Sequence, residues 1–160
     1  MCEYCGCQSL ATIDELTREH DAVVDLIAGV ESAYAAQDVV RMAQTAREIA
    51  AVLAPHTEVE EHGLFPVMAE EFPDHIAALE EEHRRIESVL GEAAGRTPAD
   101  PAWPGRLMTV LAMLRDHILK EQDGVFPAAL ASLSTEEWEA VEMVRSRVGT
   151  LLPAAATERN

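Results

Sequence analysis

At 160 residues the chain is long enough for one domain with an apolar core and too short for two comfortable ones. Apolar residues make up 48% of it and aromatics only 4%, a balance typical of helices packed on helices. Lys and Arg number 12 against 29 Asp and Glu, a formal charge of −17. Such a field repels nucleic acid and anionic membrane surfaces, keeps the chain soluble, and is compatible with an attraction for cations.

No run approaches the roughly 18 apolar residues of a membrane span, and the first ten residues lack the basic start and apolar centre of a secretory signal. Cys2, Cys5 and Cys7 all fall within the first seven residues. An odd, clustered set cannot staple the fold, and it points to a reducing, cytoplasmic setting. The sequence divides into a flexible Cys-containing segment (1–9), a helical domain (10–152) and a frayed tail (153–160).

In chain order, the Thr12–Glu15 spacing of a capping box precedes an apolar-periodic run through Leu16, Val23, Ile27 and Val30. It predicts a first helix over about 12–35. After a turn at Gln37-Asp38, the pattern Val39, Met42, Ala46, Ile49, Val52, Leu53 predicts a second helix, with a kink at Pro55 and a stop at Gly63 and Pro66. Pro73 suits the first turn of a third helix, running through Ile76, Leu79, Ile86 and Leu90 to about Gly95. The stretch RTPADPAWPG reads as a loop. A fourth helix carries Leu107, Val110, Leu111, Leu114 and Ile118, and Gly124 and Pro127 should end it as Gly63 and Pro66 end the second. Ser134 and Glu137 form a capping box for a short fifth helix. The fold class predicted is all-α: an antiparallel up-down four-helix bundle with a short C-terminal fifth helix, in which facing helices can place a metal site in the core.

Aligning the ends of helices two and four sets HTEVEEHGLFP over HILKEQDGVFP, with His, Glu, Gly, Phe and Pro at matching offsets. One helix earlier in each half lies another histidine: His20 is 36 residues before His56, and His83 is 34 residues before His117. Each half therefore reads His…His-x-x-x-Glu. Four residues advance a helix by about 400°, so His56 and Glu60, and likewise His117 and Glu121, share a face one turn apart. Two helix hairpins so arranged bring four imidazoles and two carboxylates together, a set suited to two divalent ions with the carboxylates bridging.

This pattern resembles the hemerythrin-like, cation-binding family, over about residues 10–150. The resemblance implies that His20, His56, Glu60, His83, His117 and Glu121 ligate two non-haem irons joined by an oxo or hydroxo group, with Glu60 and Glu121 as bridging carboxylates. The oxygen carriers of the family have a further histidine four residues before the one matched by His83. Here that residue is Leu79. A missing ligand leaves a position open and favours reaction over carriage. Decomposition of peroxide or nitric oxide is therefore the expected function. Reversible oxygen or nitric-oxide binding or sensing, and iron storage or detoxification, are the alternatives. The partner expected is a small oxidant or a diatomic gas, with the electron donor open.

His62 lies about 200° round the helix from Glu60 and should point away from the centre, and His75 opens the third helix two turns before His83. Glu61 is better placed as an accessory acid, while Glu19 and Glu82, each directly before a ligand histidine, should be solvated or support the ligands from behind. Only one Glu-x-x-His unit is present, at Glu80 and His83, against the two that a ferritin-like site needs. A structural zinc site would want cysteines on the helices. Cys2, Cys5 and Cys7 could bind a metal or exchange thiols, though three such residues without a fourth read more simply as a reduced tail. Phe65, Phe126, Trp103 and Trp138 are expected to pack core or loop, with the repeated Phe-Pro steps clamping the metal end of the bundle.

Overall fold

The computed structural model describes residues 6–153, with side chains from residue 9 onward. Among these residues every regular element is helical. The first helix, α1 (Gly6–Ala35), starts before Thr12, which is buried inside it. Nothing upstream of Thr12 breaks a helix, since there is no proline and the one glycine is at the first position. The Thr12–Glu15 spacing is thus not a cap. At the other end, Gln37 takes a left-handed conformation (φ 56°), its N–H donating to Tyr34 O and that of Asp38 to Ala33 O. These two bonds form a Schellman closure. Asp38 then caps α2 (Val39–Val59) by accepting from the Arg41 N–H at 3.1 Å.

Gly63 and Pro66 do not stop this helix. After Pro55, which α2 carries without a break, the chain makes one π-helical turn (Glu60–Leu64) and resumes as α3 (Phe65–Glu71). The second half of the repeat does the same: α5 (Trp103–Lys120) passes through a π turn (Glu121–Val125) into α6 (Phe126–Ser132). In each case the Phe N–H bonds a carbonyl five residues back, Phe65 to Glu60 and Phe126 to Glu121. Each proline then falls in the first turn of the resumed helix, where a missing N–H costs least. The second half opens with α4 (Pro73–Gly91), and the last three residues of the expected loop are already the first turn of α5. The Ser134–Glu137 capping box is formed, and opens α7 (Thr135–Val148).

α1 packs chiefly on α2 and α4 on α5, while α2 also meets α4 and α1 meets α5. Their apolar faces make two separate cores. The larger gathers Val23, Ile27, Met42, Ile49, Ile86, Trp103, Leu107 and Leu111. Trp103 is fully buried, its indole N–H donating to Val89 O. The smaller joins Leu16, Val59, Phe65, Ile76, Leu79 and Phe126 to Trp138 and Val141 of α7. His20, His56 and His83 lie, on α1, α2 and α4, between the residues that feed one core and those that feed the other, and His117 lies near the end of α5, with Phe126 of the smaller core following in α6. None of the described helices is long and apolar enough to cross a membrane.

Although the two repeat glycines share an offset, they meet different surroundings. A Cβ on Gly63 would come within 3.2 Å of the Val141 backbone in α7, whereas one on Gly124 would meet nothing within 4 Å. Gly63→Ala is therefore expected to destabilise the fold by about 1–3 kcal/mol through overpacking, and Gly124→Ala to change it by less than about 1 kcal/mol. Urea unfolding midpoints of the two variants compare them directly; equal effects would contradict the close approach of α7.

Candidate metal centre

The π turns govern how the centre is built. In an unbroken α-helix Phe65 would stand roughly 140° round from Glu60. Closing the turn over five residues brings it back over the same face. From there Phe65 stacks on His83 of the other half (centroids 5.8 Å apart, planes 9°), and Phe126 stacks on His20 (5.5 Å, 8°). The Phe-Pro steps thus hold ligand rings from below, each half supporting the other.

All six residues of the sequence motif come together. His20 comes from α1, His56 from α2, His83 from α4 and His117 from α5, while Glu60 and Glu121 open the two π turns. Each is buried, the most exposed being His83 at 6%. The donor atoms of His20, His56, Glu60 and Glu121 lie within 4.8 Å of one another, and so do those of Glu60, His83, His117 and Glu121. Both carboxylates belong to both groups. Glu60 lies 2.7 Å from His56 Nε2 and 3.7 Å from His83 Nε2, and Glu121 lies 3.0 Å from His117 Nε2 and 3.3 Å from His20 Nε2. Despite these distances neither oxygen of either carboxylate has a hydrogen-bond partner, nor do the His20 ring nitrogens or His117 Nε2. The rings do not aim N–H bonds at the oxygens. Buried carboxylates left this way are costly unless a cation satisfies them, so the donor set and its orphaned atoms fit a pair of metal ions.

Behind the centre, three imidazoles donate or share a proton through Nδ1 with a carboxylate: His56 with Glu19 at 3.1 Å, His83 with Glu61 at 2.9 Å, and His117 with Glu82 at 2.7 Å. That leaves each Nε2 facing inward. The repeat therefore extends by one residue, to Glu-His…His-x-x-x-Glu, with each helical Glu bracing the histidine of the next helix. Glu19 is far from solvated: it is 1% exposed and also accepts from Arg145 and from Thr150 Oγ1. Glu82 is held by Lys120 at 2.6 Å. Burial would raise the Glu19 and Glu82 carboxyls, but His56 and Arg145 on one side, and Lys120 and His117 on the other, keep both below the ordinary range.

The imidazoles divide by environment. Burial pushes His20 and His117 down to about 4, so both are neutral with free lone pairs at physiological pH. Burial also works against a charge on His56, yet the Glu60 charge and the hydrogen bond to Glu19 reverse the balance and hold it protonated above the usual histidine range. Glu60 is correspondingly held ionised, chiefly by the charge on His56, despite its burial.

Other candidates stand apart. His62 is exposed and pairs with Glu58 at 3.3 Å, pointing away as its angular position requires. His75 is exposed and touches Phe72 edge-on. Leu79 is buried in the smaller core, and Glu80 belongs to neither donor group. Cys2 and Cys5 lie outside the described residues, as does the side chain of Cys7. Arg145, Thr150 and Glu87 escape the motif. Glu87, one turn after His83, lines the cavity of about 10 Å³ at the centre together with Leu53, Ile86 and Leu114. Its carboxyl is raised by burial and by the nearby Glu61 charge.

The hemerythrin HHE cation-binding domain model matches residues 11–129, from the second turn of α1 to α6. The chain belongs to this family, whose domain binds metal cations. Comparison with curated proteins and with solved structures found no match.

Because a cation at His56 Nε2 must displace a proton held above neutrality, its uptake at pH 7 should release about one proton from this residue. Affinity should therefore rise with pH through the neutral range. Calorimetric titration of a divalent cation in buffers of different ionisation enthalpy measures the released protons; binding with no proton release would contradict the charged state assigned to His56.

Proposed function

We propose that His20, His56, Glu60, His83, His117 and Glu121 ligate two non-haem irons inside an antiparallel four-helix bundle, and that the protein decomposes peroxide or nitric oxide in the cytoplasm. The observation that carries this reading is the pair of four-donor groups sharing both carboxylates. Two imidazoles and two shared carboxylates per ion fall short of a full six-coordinate shell, as in other open His/carboxylate iron sites. Irons held there would supply one-electron redox steps and open coordination positions. Leu79, apolar and buried where another imidazole could have stood, keeps one such position free.

The chain's own groups fit that task. Leu53, Ile86 and Leu114 wall the centre and exclude bulk water, leaving room for a ligand of only a few atoms. Glu19, Glu61 and Glu82 hold the Nδ1 protons of His56, His83 and His117, fixing ring orientation. Peroxide disproportionation oxidises one peroxide to dioxygen while reducing another to water, so it needs no separate electron donor. Nitric-oxide reduction would need one. In a reducing cytoplasm the N-terminal cysteines would remain thiols.

Loaded with ferrous iron, the protein should retain two irons per chain and consume peroxide or nitric oxide faster than the same concentration of free iron. His117→Ala and Glu121→Ala should each lose iron and turnover together. Leu79→His, which offers an imidazole one turn before His83, should lower turnover while retaining iron. Iron assay, absorption spectra and oxidant-consumption rates check all three. A stable reversible adduct of dioxygen or nitric oxide, with no turnover of either oxidant above free iron, would overturn the catalytic reading in favour of binding.

A further inference from the structure

The repeat treats the two halves of the centre alike, but the residues around it do not. On the His20/His56 side, Glu19 is gripped by the Arg145 guanidinium: Nη2 at 2.5 Å from Oε1 and Nη1 at 3.1 Å from Oε2. Thr150 Oγ1 adds a third bond at 2.9 Å. Arg145 Nη1 also donates to Gly149 O, while its Nε lies 3.1 Å from Glu15 Oε1 without a hydrogen bond to it. Arg145 and Glu19 are buried, their side chains 10% and 1% exposed. On the His83/His117 side the corresponding carboxylates are Glu61 and Glu82, 29% and 17% exposed, and the one cation there, Lys120, is 57% exposed. A planar guanidinium that grips a carboxylate through two bonds fixes it in one orientation, whereas a hydrated ammonium on a flexible stem does not.

We infer that Arg145 of α7 is a positioning residue that makes the His20/His56 position the tighter of the two metal positions, and the His83/His117 position the more weakly held and exchangeable one. Arg145 acts through Glu19 on His56 and touches no ligand atom. It lies beyond residues 11–129, which match the family's domain, so α7 contributes to the centre from outside that span. His20, on the same side, has no carboxylate on Nδ1. Stacking on Phe126 holds its ring instead, which places the bracing of this side on the single Arg145–Glu19–His56 line. The inference rests on the reading of the six residues as ligands of two ions.

The test uses the full chain freed of metal and titrated with Zn²⁺ or Co²⁺ against a chromophoric chelator, so that no redox turnover enters. Two unequal binding steps are expected. Arg145→Gln should weaken the tighter step by about 10–100-fold and leave the weaker step unmoved, with Arg145→Lys recovering part of the loss. Glu82→Gln should show the reverse pattern. Circular dichroism establishes whether Arg145→Gln is folded; if it is not, Thr150→Val, which removes only the hydroxyl bond to Glu19, should still weaken the tighter step by a smaller factor. Equal steps in the unaltered protein, equal losses at both steps, or no loss at either, would overturn the inference. A chain that binds a single ion would overturn the two-ion reading itself.

Discussion

Glu60 and Glu121 are fully buried between two apolar cores, and the two carboxyl groups placed there decide how the surrounding helices are used. Removing a carboxylate from water costs several kcal/mol unless opposite charge and hydrogen bonds replace the lost hydration. Neither side chain has a hydrogen bond of its own. Four imidazoles from four different helices converge on the pair instead, so each long helix must carry a polar residue at one depth and apolar residues above and below it. The division of the interior into two cores follows from that layer. It also explains why the ligand turns are π-helical: the same short segment must aim a carboxylate inward and then, five residues later, a phenyl ring at a neighbouring imidazole.

Symmetry in the sequence becomes asymmetry in the fold because only one half of the repeat is covered by α7. Gly63 exists in contact with the Val141 backbone, while Gly124 faces open space. Glu19 is sealed under Arg145, while Glu82 meets a lysine at the surface. Glu61 braces His83, but its counterpart in the repeat is Gln122, and His20 is left to a ring contact. Two donor groups of matching composition thus have different surroundings, the carboxylate behind one sealed from water and those behind the other partly exposed. Divergent chemistry at two metals does not require divergent ligands when the residues behind them differ in this way.

The parts of the structure that were legible in the sequence are those set by spacing along one helix. His-x-x-x-Glu fixes two donors on one face whatever the neighbours are, and its repetition identified all six residues that the fold gathers. The Ser134 cap and the break before Pro73 are equally local. What the sequence concealed depends on contacts between distant segments or on a competition between local rules. Gly63 and Pro66 look like a helix stop because glycine and proline each disfavour an α-helix interior. A π turn resolves both at once, and its gain, the stacking of Phe65 on His83, is visible only when helix four residues are in place. Glu19 and Glu82 could be seen beside the ligand histidines, yet adjacency on a helix pointed them away from those residues, and only the packed helices show each one reaching the histidine of the next. Arg145 lies 126 residues from Glu19, and no periodicity links them.

A helix bundle could bury six polar groups for stability alone only at a loss, since apolar residues of similar volume would serve at least as well. Bracing the groups with further carboxylates, and one of those with a buried arginine, deepens that loss for the protein by itself and reverses it once cations neutralise the centre. If the six residues hold cations as proposed, the arrangement gains stability with occupancy. Behind His56 stands the buried Glu19–Arg145 pair, whereas the carboxylate partner of His83 reaches the surface and its helix carries Leu79 one turn away.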